Sequence, residues 1–428
     1  MKKYRVIVAH AGQQTSFRRA EALKKGNMLD KYITTVYLKK KRIANLKLLK
    51  KIDKKEYNRL MLRNCDALDD DNVIQYDIIQ NLVLIALNRV AKFKKIYIKL
   101  NLLLSKKFAK KVARYAKKKE VDAVIMMGAA PAVAFENLKN TKIVKVFDMT
   151  SIAYNYQSII MREMSDKMPS AWKECITISN DETEINKLMD NIFKADYIIC
   201  SSDFAMQSLI ANRIPREKIC IVRYGLEQNL REQTKQESQK LKLLYVGSIS
   251  CEKGIYFLLE AIRQLDSDQI SLTLVGKKYI GDRLLEPYKK WCNFIGDIPH
   301  AQVKQYYSSS DVFVLPTLFD SFGRVISEAM SYGLPVVSTN HAGAADYIKD
   351  NVNGFVIPAG DINSLVNVIQ YFIDNRDEIK RMGINANNTA QIHTWTYYEE
   401  EYVKTIKRII DKESKNESFI FDKSSSTV

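Results

Sequence analysis

Short runs of apolar, β-branched residues alternate along this 428-residue chain with longer segments whose apolar positions recur at helical spacing. In the first half these runs predict strands at residues 4–10, 122–127, 142–147, 196–200 and 218–222. A second series predicts strands at residues 242–247, 271–276, 293–296, 311–316, 335–339 and 354–358. Strands that alternate with helices form parallel sheets covered by helices on both faces. We therefore expect an α/β fold with two doubly wound, Rossmann-like domains that face each other across a cleft.

The segment between the two series is rich in Gln, Glu and Lys, as a linker would be. A chain of 428 residues is also longer than one hydrophobic core usually serves. We predict an N-terminal domain at 1–225, a linker at 226–240 and a C-terminal domain at 241–390. An amphipathic helix follows at 391–412, and a flexible tail at 413–428.

The net charge of +18 is concentrated at the start of the chain. Residues 1–120 contain 32 Lys and Arg against 10 Asp and Glu, whereas the remaining residues contain 35 against 39. The densest segments, 38–59 and 92–119, mix Lys with apolar residues as an amphipathic surface helix does. Solvated surface, an anionic membrane face and nucleic acid are the alternatives. Lys dominates over Arg and no nucleic-acid-binding motif is present, which favours the membrane and argues against nucleic acid.

Other features exclude several classes of protein. The sequence has no run of 18 apolar residues that would span a membrane, and its N-terminus has too short an apolar stretch for a signal peptide. The six cysteines are scattered singly, without the paired spacing of a disulfide framework or zinc site. We expect a cytoplasmic protein without a metal or cofactor; the acidic run at 66–71 reads as a surface loop.

Asp320 and Glu328 lie eight positions apart in the segment DSFGRVISEAMSYGLPVVST. The strand patterns on either side place Asp320 at the carboxyl end of a parallel strand and Glu328 in the helix that follows. Ligands bind at this edge of open α/β sheets. The backbone N–H groups of Phe322, Gly323 and Arg324 begin the helix, and we expect them to be unpaired donors that face an anion.

The spacing of the two acids, the Phe-Gly pair and the run EAMSYGLPVV resemble the Glu-x₇-Glu signature of retaining glycosyltransferases of family 4. This family has the GT-B fold and acts in the synthesis of bacterial cell-surface polysaccharides. The resemblance is strongest over 241–360 and thin before residue 150. It implies that 241–390 binds a nucleotide sugar, that 1–225 is the acceptor side, and that the helix at 391–412 crosses back onto the first domain.

The resemblance also assigns roles to individual side chains. Glu328 would bind the ribose hydroxyls, and Asp320 the hydroxyls of the transferred sugar. Lys253, in the segment LKLLYVGSISCEKGIYFLLEAI, would neutralise the diphosphate, whose charge must be stabilised as it leaves. The family usually has Glu in place of Asp320 and Arg in place of Ser248. Because a hydroxyl cannot replace a guanidinium group, Arg324 is a candidate for that charge.

Asp148 joins Asp320, Glu328 and Lys253 as a catalytic candidate, because it follows a strand near the place where many relatives have a cleft His or Asp. Gly12, in the loop after the first strand, would contact the donor phosphates across the cleft. Gly296 would flank the base, although a plain turn at a strand end explains it equally well. The predicted donor contacts are Gly12, Gly247, Ser248, Lys253, Gly296, Ser321, Phe322, Gly323, Arg324 and Glu328.

Together these features predict a retaining, metal-independent glycosyltransferase. It would lie on the inner face of the cell membrane and move a sugar from a nucleotide-diphosphate sugar to a lipid-linked glycan or polysaccharide precursor. Two alternatives remain. One is a sugar-nucleotide epimerase or a synthase on the same fold. The other is a non-catalytic GT-B partner subunit, which Ser248 and Asp320 would explain.

Overall fold

Two parallel β-sheets, each covered by helices, form the framework of the molecule. The computed structural model describes residues 4–12, 16–40, 63–88, 91–128, 130–176, 182–228 and 239–424, with side chains described as far as residue 414. Most of the basic segment 38–59 and of the linker 226–240 lies outside the described residues. We call the unit built on the first sheet the first domain, and the unit built on the second sheet the second domain.

The described strands of the first sheet have the spatial order β3-β2-β1-β4-β5-β6-β7. They are β1 (Val6–Ala9), β2 (Leu29–Thr34), β3 (Val73–Gln75), β4 (Ala123–Met126), β5 (Val144–Asp148), β6 (Tyr197–Cys200) and β7 (Ile219–Ile221). All pairings are parallel, and the order reverses between β1 and β4. Strands β2 and β3 were not predicted, because β2 contains Asp30 and Lys31 and β3 has only three residues.

The second sheet, built only from residues that the structure describes, has the order β10-β9-β8-β11-β12-β13. Its strands are β8 (Leu241–Val246), β9 (Ile270–Val275), β10 (Cys292–Gly296), β11 (Val312–Leu315), β12 (Val336–Thr339) and β13 (Gly354–Ile357). All six were predicted. Both β11 and β12 are buried along their whole length; β11 is an uninterrupted apolar run, whereas β12 ends in Ser338 and Thr339. The order of this sheet reverses between β8 and β11.

Helices cover both sheets, and we number those of the described segments in chain order. In the first domain they are α1 (Ser16–Lys25), α2 (Ile78–Leu87), α3 (Lys94–Lys119), α4 (Pro131–Asn137), α5 (Tyr154–Ser165), α6 (Ser170–Lys173), α7 (Glu182–Phe193) and α8 (Asp203–Ile210). In the second domain and after it they are α9 (Ile255–Leu265), α10 (Asp282–Leu285), α11 (His300–Ser309), α12 (Arg324–Ser331), α13 (Ile362–Asp374), α14 (Arg376–Ile392) and α15 (Trp395–Ser424).

The last helix, α15, returns to the first domain, as predicted. The Tyr4 hydroxyl donates to Asp411 Oδ1 at 2.7 Å, and Lys25 Nζ lies 2.6 Å from Glu399 Oε2. The helix ends at Ser424, whereas the sequence prediction ended it at 412 and placed a flexible tail after it. Its contacts therefore make residues from the end of the chain part of the first domain's core.

Candidate active site

Asp320 organises the turn between β11 and α12. Its Oδ1 accepts the N–H of Phe322 at 3.1 Å, and its carbonyl oxygen accepts the N–H of Gly343 at 2.9 Å. Gly323 has φ +81°, a left-handed conformation that glycine adopts without strain. The Phe322 amide is thus already paired, contrary to prediction. In the part of the chain that the structure describes, the N–H groups of Gly323 and Arg324 have no protein acceptor and begin α12 as open donors.

Lys253 and Asp320 form an ion pair, with 2.5 Å between Nζ and Oδ2. Lys253 ends a short helical turn after β8, and the following Gly254 has φ +71°. A Cβ atom at Gly254 would lie 1.8 Å from the carbonyl oxygen of Pro316, just after β11. The glycine therefore allows the β8 turn to lie directly on the end of β11, which brings the lysine to the acid.

These two residues flank the point where the strand order of the second sheet reverses. Lys253 follows β8 and Asp320 follows β11, the two strands on either side of the reversal. In open α/β sheets, ligands bind in the crevice at this switch point, beyond the carboxyl ends of the strands. The pair of opposite charges and the open amides of α12 therefore lie where this fold places a ligand.

Glu328 is buried on α12 and is contacted by two side chains of α11. The Tyr307 hydroxyl donates to its Oε2 at 3.1 Å, and His300 Nε2 lies 3.3 Å from its Oε1. Burial, followed by the charge of Glu328, raises the pKa of Tyr307, so this phenol stays protonated as a donor. The Tyr307 and Tyr332 rings stack with centroids 5.3 Å apart. A cavity of about 230 Å³ opens beside Glu328.

His300 and Tyr307 were not predicted as site residues. They lie seven positions apart, so they share a face of α11, but neither belongs to a motif and the helix has no strong apolar stripe. Only the packing of α11 against α12 shows that they meet Glu328. The one signal in the sequence is the spacing of a His and a Tyr at i and i+7, just before a predicted buried strand.

Arg324 lies at the mouth of the same cavity. Its Nη2 is 3.5 Å from Glu227 Oε1, which also accepts the indole N–H of Trp395 at 3.2 Å. The guanidinium is half exposed, so it can turn toward a ligand at low cost. Ser248 has no charge with which to bind a diphosphate. Its Oγ lies 3.4 Å from the Oγ of Ser250.

Two predicted glycines have conformations that other residues rarely adopt. Gly247 has φ +153°, and a Cβ atom at Gly276 would lie 1.8 Å from its carbonyl oxygen, so the ends of β8 and β9 touch. Gly296 has φ +83°, and a Cβ atom placed there would meet nothing within 4 Å. The backbone at Gly296 is therefore accessible from the side on which a ligand could approach it.

The first domain holds the Asp320–Gly323 turn from the other side of the cleft. The hydroxyls of Ser201 and Ser202 donate to the carbonyl oxygen of Ser321 at 2.9 and 3.0 Å. The Ser321 hydroxyl donates in return to the carbonyl oxygen of Thr150 at 2.9 Å. Thr150 follows β5 and the two serines follow β6, so the carboxyl edges of both sheets meet at this turn.

Further contacts join the domains beside it. Arg223 pairs with Asp346 at 2.7 Å and with Asp203 at 2.5 Å. Burial opposes its charge, but the two carboxylates outweigh burial and raise the pKa of Arg223. His341 stacks on Phe204, with ring centroids 4.8 Å apart. These residues act as architecture of the interface.

Asp148 does not reach the cleft, and we correct its assignment. Its carboxylate accepts from Arg19 Nε at 3.0 Å and Nη2 at 2.9 Å, and from the Tyr402 hydroxyl at 2.8 Å. The side chains of Arg19 and Asp148 are only 1% and 2% exposed. The same guanidinium donates to the Tyr224 hydroxyl at 2.7 Å. Asp148 therefore belongs to a buried network that joins α1, α15 and Tyr224, and it is not accessible to a substrate.

Gly12 lies at the carboxyl edge of the first sheet. Its N–H donates to His10 Nδ1 at 2.8 Å, and its carbonyl oxygen accepts from Thr34 at 3.0 Å. Among the described residues these partners all belong to the first domain, so the structure does not bring Gly12 to Lys253. His10, which was not predicted as a site residue, is buried beside it, and burial lowers its pKa.

The described residues contain no group of three or more His, Cys, Asp and Glu side chains placed to hold a metal ion. Their helices also include none with the length and apolar character needed to cross a bilayer. The site itself brings together a cation, open amides and two carboxylates at a switch point. Such a set suits an anionic group next to several hydroxyls.

Residues 227–389 match the family model of glycosyl transferases group 1. The matched segment contains Lys253, Asp320 and Glu328. The amylovoran biosynthesis glycosyltransferase AmsK of Erwinia amylovora is 32% identical over 179 residues, 38% of this chain and 43% of AmsK. The capsular polysaccharide biosynthesis glycosyltransferase CapM of Staphylococcus aureus is 25% identical over 229 residues, 48% of this chain and 60% of CapM. The chain thus spans about half the length of these relatives.

A solved structure extends the likeness to both domains. HepE of Anabaena in complex with UDP has a TM-score of 0.59 and 16% identity, and the match covers 95% of this chain and 100% of HepE. HepE has also been solved in complex with UDP-glucose. The likeness shows the fold, which is GT-B, as the sequence predicted.

Proposed function

We propose that this protein is a retaining, metal-independent glycosyltransferase that uses a nucleotide-diphosphate sugar. The observation that carries the proposal is the set formed by Lys253, Asp320, Glu328 and the open amides of α12 at the switch point of the second sheet. The match of residues 227–389 to group 1 glycosyl transferases supports it. The complexes of HepE with UDP and UDP-glucose support a uridine nucleotide as the first donor to test.

Each residue has a distinct task in this proposal. Lys253 and the N–H groups of Gly323 and Arg324 neutralise the diphosphate as charge develops on it. Asp320 accepts hydrogen bonds from the hydroxyls of the transferred sugar. Glu328 accepts two hydrogen bonds from the vicinal ribose hydroxyls, with Tyr307 holding the carboxylate in place. His300 covers the rim of the ribose site.

The chemical step then needs positioning more than a protein base. The acceptor hydroxyl attacks the anomeric carbon on the face from which the diphosphate leaves. The bond between that carbon and the diphosphate oxygen breaks, and a diphosphate oxygen takes the acceptor proton. Retention follows because entry and departure share one face. This proposal requires no catalytic role for Asp148.

The acceptor in this proposal is a lipid-linked glycan or a polysaccharide precursor. The names of AmsK and CapM, which concern amylovoran and capsular polysaccharide biosynthesis, support it. The basic segments 38–59 and 92–119 would hold the enzyme on the inner, anionic face of the cell membrane. Co-sedimentation at low salt tests this: equal recovery with phosphatidylcholine and with phosphatidylglycerol vesicles would remove the membrane from the proposal.

Calorimetry with UDP, GDP and ADP tests the donor site. We expect Glu328→Ala to weaken the binding of the preferred nucleotide by about tenfold or more, since hydrogen bonds to a charged group contribute about 1.5–3 kcal/mol. The same variant should bind the 2′,3′-dideoxy form of that nucleotide as tightly as the wild type binds the dideoxy form. An equal loss with both nucleotides would disprove the ribose assignment.

Two outcomes would replace the proposal itself. If no nucleoside diphosphate binds, the chain is a non-catalytic GT-B subunit. If a nucleotide sugar is converted to its epimer with no acceptor present, the chain is an epimerase. The configuration of the product at the anomeric carbon, read by NMR, tests retention separately.

A further inference from the structure

The side chain of Phe322, in the Asp320–Gly323 turn, packs against a tyrosine of the first domain. The rings of Phe322 and Tyr224 form an edge contact, with their centroids 5.0 Å apart and their planes at 63°. Phe322 is 3% exposed and Tyr224 is 7% exposed. Tyr224 follows β7, the last strand of the first domain, by three residues. A buried aromatic contact therefore joins the turn of the donor site to the first domain.

The position of Tyr224 is fixed by a buried ion pair of the first domain. Arg19 Nη2 donates to the Tyr224 hydroxyl at 2.7 Å, and its Nε and Nη2 groups donate to the Asp148 carboxylate at 3.0 and 2.9 Å. The Tyr402 hydroxyl donates to the same carboxylate at 2.8 Å. From the second domain, the Tyr347 hydroxyl donates to the carbonyl oxygen of Tyr224 at 3.0 Å. A guanidinium that binds a carboxylate through two nitrogens has a fixed orientation, so the phenol is held in one place.

Phe322 directly precedes the open amides of α12. Its N–H donates to Asp320 Oδ1 at 3.1 Å, and its carbonyl oxygen accepts the N–H of Ala344 at 2.5 Å. Gly323, the next residue, has φ +81° and no side chain to hold it. The directions of the N–H groups of Gly323 and Arg324 therefore depend on how firmly Phe322 is held. The ring contact is a part of this hold that the first domain supplies.

We infer that Tyr224 is a positioning residue of the donor site. Held by the Arg19–Asp148 pair, it fixes the Phe322 ring and so aims the open amides of α12 at the donor diphosphate. The inference rests on the proposed function, in which these amides neutralise the diphosphate. It gives the buried ion pair a part in the reaction, although both of its residues are inaccessible to a substrate. Such donors are effective because they are fixed before charge develops, and a displacement of about 1 Å can lower a rate about a hundredfold.

This arrangement makes the first domain matter for one part of the donor site and not for another. The diphosphate is bound by amides whose direction depends on Phe322, and therefore on Tyr224. The ribose is bound by Glu328, which Tyr307 and His300 contact from α11, within the second domain. A nucleoside contains the base and the ribose but lacks the diphosphate. Loosening Tyr224 should therefore weaken the binding of a nucleoside diphosphate and leave the binding of the matching nucleoside unchanged.

Displacement calorimetry tests this with the diphosphate that the wild type prefers among UDP, GDP and ADP, and with the matching nucleoside. Tyr224→Phe keeps the ring and removes the hydroxyl that Arg19 holds. We expect this variant to bind the diphosphate about fivefold more weakly, the effect of one lost hydrogen bond, and the nucleoside as the wild type does.

Tyr402→Phe is the matched control. It removes a buried hydroxyl that donates to Asp148 in the same network, and it leaves the hydrogen bond from Arg19 to Tyr224 in place. We expect its melting temperature to fall about as much as that of Tyr224→Phe, because each variant loses one buried hydrogen bond. Its binding of both ligands should equal that of the wild type.

A double-mutant cycle tests whether Tyr224 acts through Phe322. Phe322→Leu removes the ring that the tyrosine contacts, and it should weaken the binding of the diphosphate at least as much as Tyr224→Phe does. Adding Tyr224→Phe to Phe322→Leu should cause no further loss, because the ring through which the tyrosine acts is gone. If the two losses multiplied, the hydroxyl of Tyr224 would act by another route, and the inference would be overturned.

Three further results would overturn the inference. They are an equal loss of diphosphate and nucleoside binding in Tyr224→Phe, an equal loss of diphosphate binding in Tyr402→Phe, and no loss in Tyr224→Phe. Each requires a wild type that binds the diphosphate, so each would leave the proposed function in place. If the wild type itself binds no nucleoside diphosphate, the proposed function is wrong and the inference falls with it. The wild-type titration therefore separates the two failures.

Discussion

Lys253 Nζ lies 2.5 Å from Asp320 Oδ2, so the cation proposed for the donor diphosphate is held by the acid proposed for the donor sugar. Both side chains are about one-quarter exposed, and the pair is accessible to a competing anion. A diphosphate would therefore compete with Asp320 for the ammonium group. This competition predicts that substituting Lys253 and substituting Asp320 have opposite effects on diphosphate binding.

We expect Lys253→Met to weaken UDP binding by about tenfold to a hundredfold, because charge-assisted hydrogen bonds contribute about 1.5–3 kcal/mol. Isothermal titration calorimetry measures the change. Lys290→Met is the matched control, since Lys290 forms an exposed pair with Asp266 on the same domain. A loss of the same size in both variants would show that net charge, and not the position of Lys253, governs binding.

Asp320→Asn should bind UDP at least as tightly as the wild type, because Lys253 is released and the amide oxygen can still accept the N–H of Phe322. Sugar transfer by the same variant should fall at least tenfold, because a carboxylate that accepts the sugar hydroxyls has been lost. Weaker UDP binding would instead mean that the charge of Asp320 is needed to order the turn.

Gly343→Ala should disable the site without unfolding the protein. A Cβ atom at this position would lie 2.0 Å from the carbonyl oxygen of Ser321 and 2.7 Å from Ser202 Oγ, so the turn that bears Asp320 must move. We expect transfer activity to fall at least tenfold, with a shift of only a few degrees in melting temperature. Gly281→Ala is the control, because its Cβ would meet nothing within 4 Å and should leave activity unchanged.

Arg19→Met should destabilise the first domain by about 3–5 kcal/mol, since it leaves the buried carboxylate of Asp148 without its cation. Burial works against the charge of Arg19, but Asp148 outweighs burial and raises the pKa of Arg19 further, so the guanidinium stays charged. Urea unfolding measures the loss. Arg18, next to it on α1, has a side chain that is 42% exposed, so Arg18→Met should cost no more than about 1 kcal/mol.

Stability should fall as the pH is lowered below about 6.5. Burial lowers the pKa of His10 and of His341 below the ordinary value of 6.5. In that range the unfolded chain takes up protons that the folded chain does not, so the free energy of unfolding decreases. The loss is at most about 1.4 kcal/mol per pH unit for each histidine and ends at the folded-state pKa. Urea midpoints between about pH 8 and about pH 5 measure it, and His341→Gln should make the slope smaller.

The fold could be predicted because strands such as β1, β4, β6 and β11 are buried along their whole length and read as short apolar runs. Strand β3 was not predicted because its three residues, between Asp71 and Asp77, are too few to show the alternation typical of a strand. The Asp320–Glu328 pair was found because the acids and the turn between them are contiguous in sequence. The sequence could not show whether the Phe322 N–H was free for a ligand, because this depends on the rotamer of the Asp320 side chain.

The missed site residues have a common cause. His300 and Tyr307 reach Glu328 only because α11 packs beside α12, and His10 lines a cavity only because α2 and α3 cover it. Asp148 shows the opposite error, since a strand-end acid is a good cleft candidate until its partner is known. That partner, Arg19, is 129 positions away, and no local pattern connects them.

The contacts of α15 have a consequence for how this protein is made. Asp411 and Glu399 hold Tyr4 and Lys25, and Tyr402 completes the surroundings of the Arg19–Asp148 pair. The first domain therefore needs the last part of the chain to leave the ribosome before its interior is complete. During synthesis the second domain, whose strands are continuous in sequence from Leu241 to Ile357, can finish folding while the domain that began first still waits for its final helix.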